Sequence, residues 1–198
     1  METLYLFTDG GLFDLNEDTM RMVSSYILTT RKEIISRKTF ITAGGTTPRA
    51  EALAFLKGVN ELRKYVDDIP DSYKLYIITD SELNYKTFTQ WVYGWIKRAG
   101  GIDKEWKGAS GTAVKNQDVH KFSLAHLNHL KKKNFLAIQH INSHVTKVDY
   151  KEKYERFNTI NKEDISEEQF SWYLYINTLV DQDVKEYGRD KTLIPKKQ

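Results

Sequence analysis

Apolar positions along this chain recur with two different periods. Residues 3–8, 22–30 (MVSSYILTT) and 33–43 (EIISRKTFITA) are short runs rich in β-branched and aromatic residues, and they predict three strands. Gly10-Gly11 reads as the turn after the first of them, so the three are expected to form an antiparallel meander. The loop Gly44-Gly45-Thr46-Thr47-Pro48 carries helix-start chemistry, and apolar residues at 52, 55, 56, 59, 62 and 66 then make a helical stripe over AEALAFLKGVNELRKYV. Pro70 ends the connection, and LYIIT (75–79) predicts a fourth strand. The order strand, helix, strand implies a parallel crossover.

Two more helices are expected around KTFTQWVYGWIKR and NQDVHKFSLAHLNHLKKK, joined by a Gly-rich loop, with FLAIQHI (135–141) as a fifth strand. The piece from Lys147 to Asp164 is polar and charged and is given no element. Ser166-Glu167-Glu168-Gln169 has the form of a capping box, opening a helix to about Tyr187, where Gly188 is expected to stop it and leave a frayed tail. The class is α/β.

Two of the apolar runs finish alike: TLYLFTDGG reaches Asp9 and KLYIITDSE reaches Asp80. If those strands are neighbours, both carboxylates stand at the carboxyl edge of the sheet, where α/β proteins bind ligands. On the first helix Glu51 lies about 40° of helical rotation from Phe55 and borders the buried stripe, whereas Glu61 points away. On the last helix the stripe is Phe170, Tyr173, Leu174, Asn177, Val180, Val184 and Tyr187; Asp181 falls inside it and Asp183 on the far side. Taken singly, each Asp has an ordinary reading as the cap of a turn or helix. Four acids against apolar surroundings repel one another and are each desolvated, which makes sense if something positive sits between them. Mg²⁺ takes hard oxygen ligands, and two such ions about 4 Å apart can activate a water and stabilise a leaving oxygen in phosphodiester hydrolysis.

Composition sharpens this in three respects. With 40% apolar and 13% aromatic residues, 198 residues suffice for one domain with its own core. No apolar run approaches the roughly 20 residues that cross a bilayer, and Met1 leads straight into a strand pattern, so the expectation is a soluble, unexported, cytoplasmic protein with no membrane partner. Zero cysteines exclude disulfides, thiolate zinc sites and cysteine nucleophiles. The net charge is +3, yet from Asn84 to Asn134 ten Lys or Arg face three acids, a local balance of about +7. A segregated basic segment is either a solvated surface or the footprint of a polyanion.

In order along the chain, TDGG (8–11), GGTTPRAEALA (44–54), IITDSE (77–82), TQWVYGWIKR (89–98), VKNQD (114–118) and Asn177-x-x-x-Asp181 resemble the type 1 ribonucleases H, specifically the bacterial form with a basic protrusion. The resemblance implies a ribonuclease H fold, a five-stranded mixed sheet in order 3-2-1-4-5 flanked by helices, over a single domain of residues 1–198. It implies that Asp9, Glu51, Asp80 and Asp181 bind two Mg²⁺ ions, with Mn²⁺ a possible substitute, and that His144 assists attack or product release. The substrate would be an RNA–DNA hybrid, cut in its RNA strand to leave 5′-phosphate and 3′-hydroxyl ends, by a monomer that needs no small-molecule cofactor. The protrusion, about 90–115, would grip the DNA strand through Trp91, Lys97, Arg98, Lys104, Trp106, Lys107, Lys115 and Asn116, with Gly10, Gly11, Thr47 and Arg49 also near the nucleic acid. Trp91 and Trp95, one turn apart, read first as core packing.

Three departures qualify the expectation. The Gly- and Pro-rich turn that usually follows Gly11 is LFDLNEDTMRM here, and Thr47-Pro48 replaces the family's paired asparagines. Both places normally help read RNA 2′-hydroxyls, so a nuclease acting on duplex RNA or structured DNA, or a non-catalytic nucleic-acid binding module, stays as an alternative. An insertion, about 146–166, lengthens the path from His144 to Asp181 and could form a lid or partner surface.

Overall fold

Strand β1 (Glu2–Asn16) is the axis of the structure, pairing antiparallel with β2 (Thr19–Thr29) on one side and parallel with β4 (Tyr73–Thr79) on the other. Strand β3 (Ile34–Ala43) continues from β2 and β5 (Phe135–His140) from β4, giving the expected mixed sheet in order β3-β2-β1-β4-β5. This computed structural model describes residues 2–16, 19–69 and 72–193; Met1, Pro70 and the last residues of the tail lie outside them. A central strand covered on both faces must be apolar on both, and β1 is: Leu4 and Leu6 enter one core, Tyr5 and Phe7 the other.

Gly10-Gly11 is not a turn. β1 runs through it, with Gly10 opposite Ser24 and Gly11 opposite Val23. The missing side chain serves a close approach instead: a Cβ on Gly10 would lie 2.4 Å from the Ala50 carbonyl carbon and 2.5 Å from the Glu51 nitrogen. Helix α1 (Thr47–Asp67) therefore lays its first turn directly on β1, where Ser24 Oγ also holds the Ala50 carbonyl at 2.8 Å. Thr46 caps α1 by accepting from Arg49 N–H, Pro48 sits in the first turn, and Phe55, Val59 and Leu62 are buried under the sheet.

The single helix expected around 86–98 is three pieces, α2 (Glu82–Lys86), a π-helical turn (Thr87–Trp91) and α3 (Val92–Ala99). Helix α4 (Gln117–Leu130) follows the loop and packs on α1. The unassigned charged segment contains α5 (Tyr150–Asn161), whose Phe157 packs at 5.4 Å and 5.7 Å from the rings of Phe170 and Tyr173. Its buried side is the sparse i, i+4, i+7 stripe Tyr150, Tyr154 and Phe157, all three rings within 5.6 Å of Phe170. It is built into the second core and is not a detached lid.

Helix α6 (Glu167–Arg189) starts as the capping box requires, with Ser166 Oγ accepting from Gln169 N–H at 3.2 Å. It does not stop at Gly188, where a Cβ would meet the Phe13 ring at 2.4 Å, so this glycine too permits contact. Nor are residues 189–193 frayed. The buried Arg21 guanidinium donates to the carbonyls of Tyr187 (2.7 Å), Asp190 and Leu193, closing the negative end of the helix dipole. Among the described residues no helix is long and apolar enough to cross a membrane.

Candidate active site

The last parallel pair of β1 and β4 is Thr8 with Thr79, so the next residues, Asp9 and Asp80, emerge side by side at the carboxyl edge of the sheet. The contact at Gly10 sets Glu51 against the same edge, and α6, crossing β1, brings Asn177 and Asp181 to it. Burial pushes the Asp9 carboxyl up to about 8, helped by Asp80, Asp181 and Glu51 and opposed by the Gly10 N–H, which donates to Asp9 Oδ1 at 2.7 Å. Asp80 is raised by burial first and by Asp181 next, against hydrogen bonding from Asn177 and Ser143. Glu51 is raised by burial, with Asp80 adding to it and Ser81 Oγ, donating to Glu51 Oε2 at 2.6 Å, working against it.

As the side chains stand, no group of three or more His, Asp or Glu among the described residues closes around one ion. Asp181 Oδ2 is held by Lys185 Nζ at 2.6 Å and Glu51 by Ser81. The donor chemistry still fits a hard divalent cation: carboxylate oxygens only, drawn close enough that Asp80, Asp181 and Glu51 all push Asp9 up.

His144 lies on the loop after β5 with its backbone in the left-handed region (φ 60°), an uncommon conformation for a non-glycine residue. Its exposed side chain lines a cleft of about 130 Å³ with Ser143, Asn177, Thr178 and Asp181. Ser81, Ser143 and His140 were not foreseen as parts of the site. Ser81 caps α2, accepting from the Asn84 N–H, and the same hydroxyl reaches Glu51. Asp183 is a correction. It is buried, 6% exposed, and takes a bidentate ion pair from Arg37 at 2.7 and 2.8 Å, because α6 lies across β2 and β3 and hides that flank as well.

Beside the acids runs a groove of about 710 Å³ between the start of α1 and the loop before α4, lined by Arg49, Trp95, Lys115, Asn116 and His120 among others. Lys97, Arg98, Lys104, Lys107 and Lys115 are exposed on or around the protrusion, and Thr47 is exposed at the start of α1. Arg49 is held by Asp118 at 2.9 Å and by Asn116 Oδ1 at 3.2 Å, and Asn116 opens α4 with φ 55°. Trp91 is half-buried, its ring 5.9 Å from that of Trp95. Trp106 is a further correction: it is fully buried, its Nε1 donating to the Ile102 carbonyl at 3.0 Å, and no face is left for a base to stack on. Gly10 is also buried, against the start of α1, which removes it from the expected nucleic-acid contacts.

His120, 2% exposed under the groove between Phe88 and Trp95, is held well below the usual imidazole range, at about 4, by burial. A depressed folded value means the neutral ring supports the fold above about pH 6.5, and that support is lost as pH falls toward 4. The chain should lose up to about 3 kcal/mol over that interval, and His120→Leu should remove this part of the pH dependence, read from melting temperatures between pH 7 and 4.

The RNase H family model matches residues 1–158. This chain belongs to the RNase H family. The match ends within α5, so Asp181 lies beyond the matched segment. Solved RNase H structures share the architecture. Prototype foamy virus protease-reverse transcriptase is 17% identical, with a TM-score of 0.56 over 96% of this chain and 21% of that one. The RNase H domain from the same virus is 16% identical, TM-score 0.53, over 82% and 93%. LC9-RNase H1, described as a type 1 RNase H with the type 2 active-site motif, is 14% identical, TM-score 0.51, over 90% and 84%. A foamy viral protease-reverse transcriptase bound to RNA/DNA hybrid, 15% identical with a TM-score of 0.53, is covered over only 17% of its length, so this chain corresponds to a small part of it. No curated protein matches by sequence.

Proposed function

We propose that the chain is a divalent-cation-dependent endonuclease that cuts the RNA strand of RNA–DNA hybrids, leaving 5′-phosphate and 3′-hydroxyl ends. The observation that carries this is the meeting of Asp9, Asp80, Glu51 and Asp181 at one sheet edge, in a chain of the RNase H family, with exposed Lys97, Arg98, Lys104, Lys107 and Lys115 on the protrusion. The hybrid bound to the foamy viral protein of like fold supports the substrate class. The four carboxylates would hold two Mg²⁺ or Mn²⁺ ions, which when bound supply an activated water and charge neutralisation at the leaving oxygen. Asn177 and Ser143 orient Asp80, and Ser81 orients Glu51. His144, exposed beside Asp181, can take or return a proton at the reacting phosphate. Lys97, Arg98, Lys104, Lys107 and Lys115 meet backbone phosphates without reading sequence. A monomer acting in the cytoplasm without a small-molecule cofactor completes the proposal.

A second reading, a nuclease for duplex RNA or structured DNA, is favoured by one feature: Arg49, at the place where RNA would be read, is committed to Asp118. Cleavage of hybrid, duplex RNA and duplex DNA of one sequence in Mg²⁺ separates the two. Turnover of the hybrid, abolished by Asp80→Asn with hybrid binding retained, is the expected result. Preference for duplex RNA would move the assignment to the second reading, and no turnover of any duplex would end both.

A further inference from the structure

Strand β5 is the outer strand beside β4, so among the described residues its outward N–H and C=O groups have no neighbouring strand. At His140, its last residue, one side chain stands in for that strand. Asn161 Oδ1 accepts from the His140 N–H at 2.8 Å, and Asn161 Nδ2 donates to the His140 carbonyl at 3.0 Å. The same Nδ2 also donates to the Phe157 carbonyl at 2.9 Å, which fixes the orientation of the amide at the end of α5. Tyr85 completes the clasp, its hydroxyl donating to the Ile160 carbonyl at 3.2 Å and its ring lying 5.7 Å from the imidazole.

The ladder between β4 and β5 ends at Thr79 and His140, so the carbonyl of the next residue, Asp80, needs a partner from elsewhere. His140 Nε2 donates to it at 3.2 Å. We propose that α5, the segment expected as an insertion, is a brace for the catalytic carboxylate: Asn161 fixes His140, and His140 fixes the backbone from which Asp80 projects. This rests on the nuclease reading and deepens it. His140 and Asn161 are positioning residues, acting through Asp80 without touching substrate.

His140→Ala and Asn161→Ala should each lower kcat on the hybrid about tenfold, with KM and hybrid affinity changed by less than roughly twofold. His140→Gln, whose amide can donate to the same carbonyl, should keep about half of the wild-type kcat or more. Assays run well below each variant's melting temperature separate this from loss of fold. Wild-type kcat in both alanine variants overturns the brace, and so does a His140→Gln variant as slow as His140→Ala. If the wild-type protein cleaves no duplex, the nuclease reading fails, yet the brace is still decided by the carbonyl ¹³C chemical shift of Asp80. A shift that moves in His140→Ala and returns in His140→Gln supports it, and one indifferent to both overturns it.

Discussion

Asp9→Asn is expected to abolish hybrid cleavage and, measured in chelator, to raise the melting temperature of the protein. Losing about 4 kcal/mol of transition-state stabilisation, a reasonable share for one carboxylate in the proposed metal-holding role, slows turnover roughly 10³-fold. The gain in stability follows from burial and from the three acids that push Asp9 up to about 8. An acid whose folded value is raised supports the fold below its unfolded value near 3.8, and that support is lost as pH rises toward 8. Near pH 7.5 the wild-type protein therefore carries a cost that the amide does not. About 2 kcal/mol regained corresponds to roughly 4–8 °C in a domain of this size. Thermal melts at pH 7.5 and pH 4 check it: the gain should be present at the first and nearly absent at the second. Equal gains at both would show that repulsion among the acids is not its source.

Trp106→Ala should act on the fold before it acts on binding. The side chain is fully buried, with Trp95 at 6.2 Å and Lys121 Nζ 5.4 Å over its ring, and its backbone N–H is held by Gln117. Truncating a tryptophan in such a place costs about 3–5 kcal/mol. A chemical-denaturation midpoint lowered accordingly is the expected outcome. A variant of wild-type stability that binds hybrid poorly would return Trp106 to the interface. Lys107→Ala, at the exposed neighbouring position, should instead leave stability unchanged and reduce the salt dependence of hybrid binding.

Much of this protein was legible before the fold was known, and the reasons are local. Strands and long helices announce themselves by period, so all five strands, α1 and the capped start of α6 are found from the pattern, although β1 runs on to Asn16 through the glycines expected to end it. Asp9 and Asp80 could be paired because both follow apolar runs, and Glu51 because one helical stripe fixes a rotation angle. The errors also have local causes. Gly10 and Gly188 have the composition of a turn and a helix stop, but each makes room for a partner distant in sequence, α1 in one case and Phe13 in the other. Asp183 was set on the solvent side because α6 was given one buried face. The helix lies broadly across β1, β2 and β3, which bury that flank too.

The amino-acid sequence by itself determined the alternation of strands and helices, the carboxylates at two strand ends, the basic segment and membership in the RNase H family. Only the tertiary structure decided which aromatic residues are core, that α5 packs into the second core beside α6, and that Asn161 reaches His140 across 21 positions of chain. Period and capping are written within a few residues of backbone geometry. Those contacts depend on which surfaces the closed sheet leaves for a loop or helix to cover, and no local pattern carries that information.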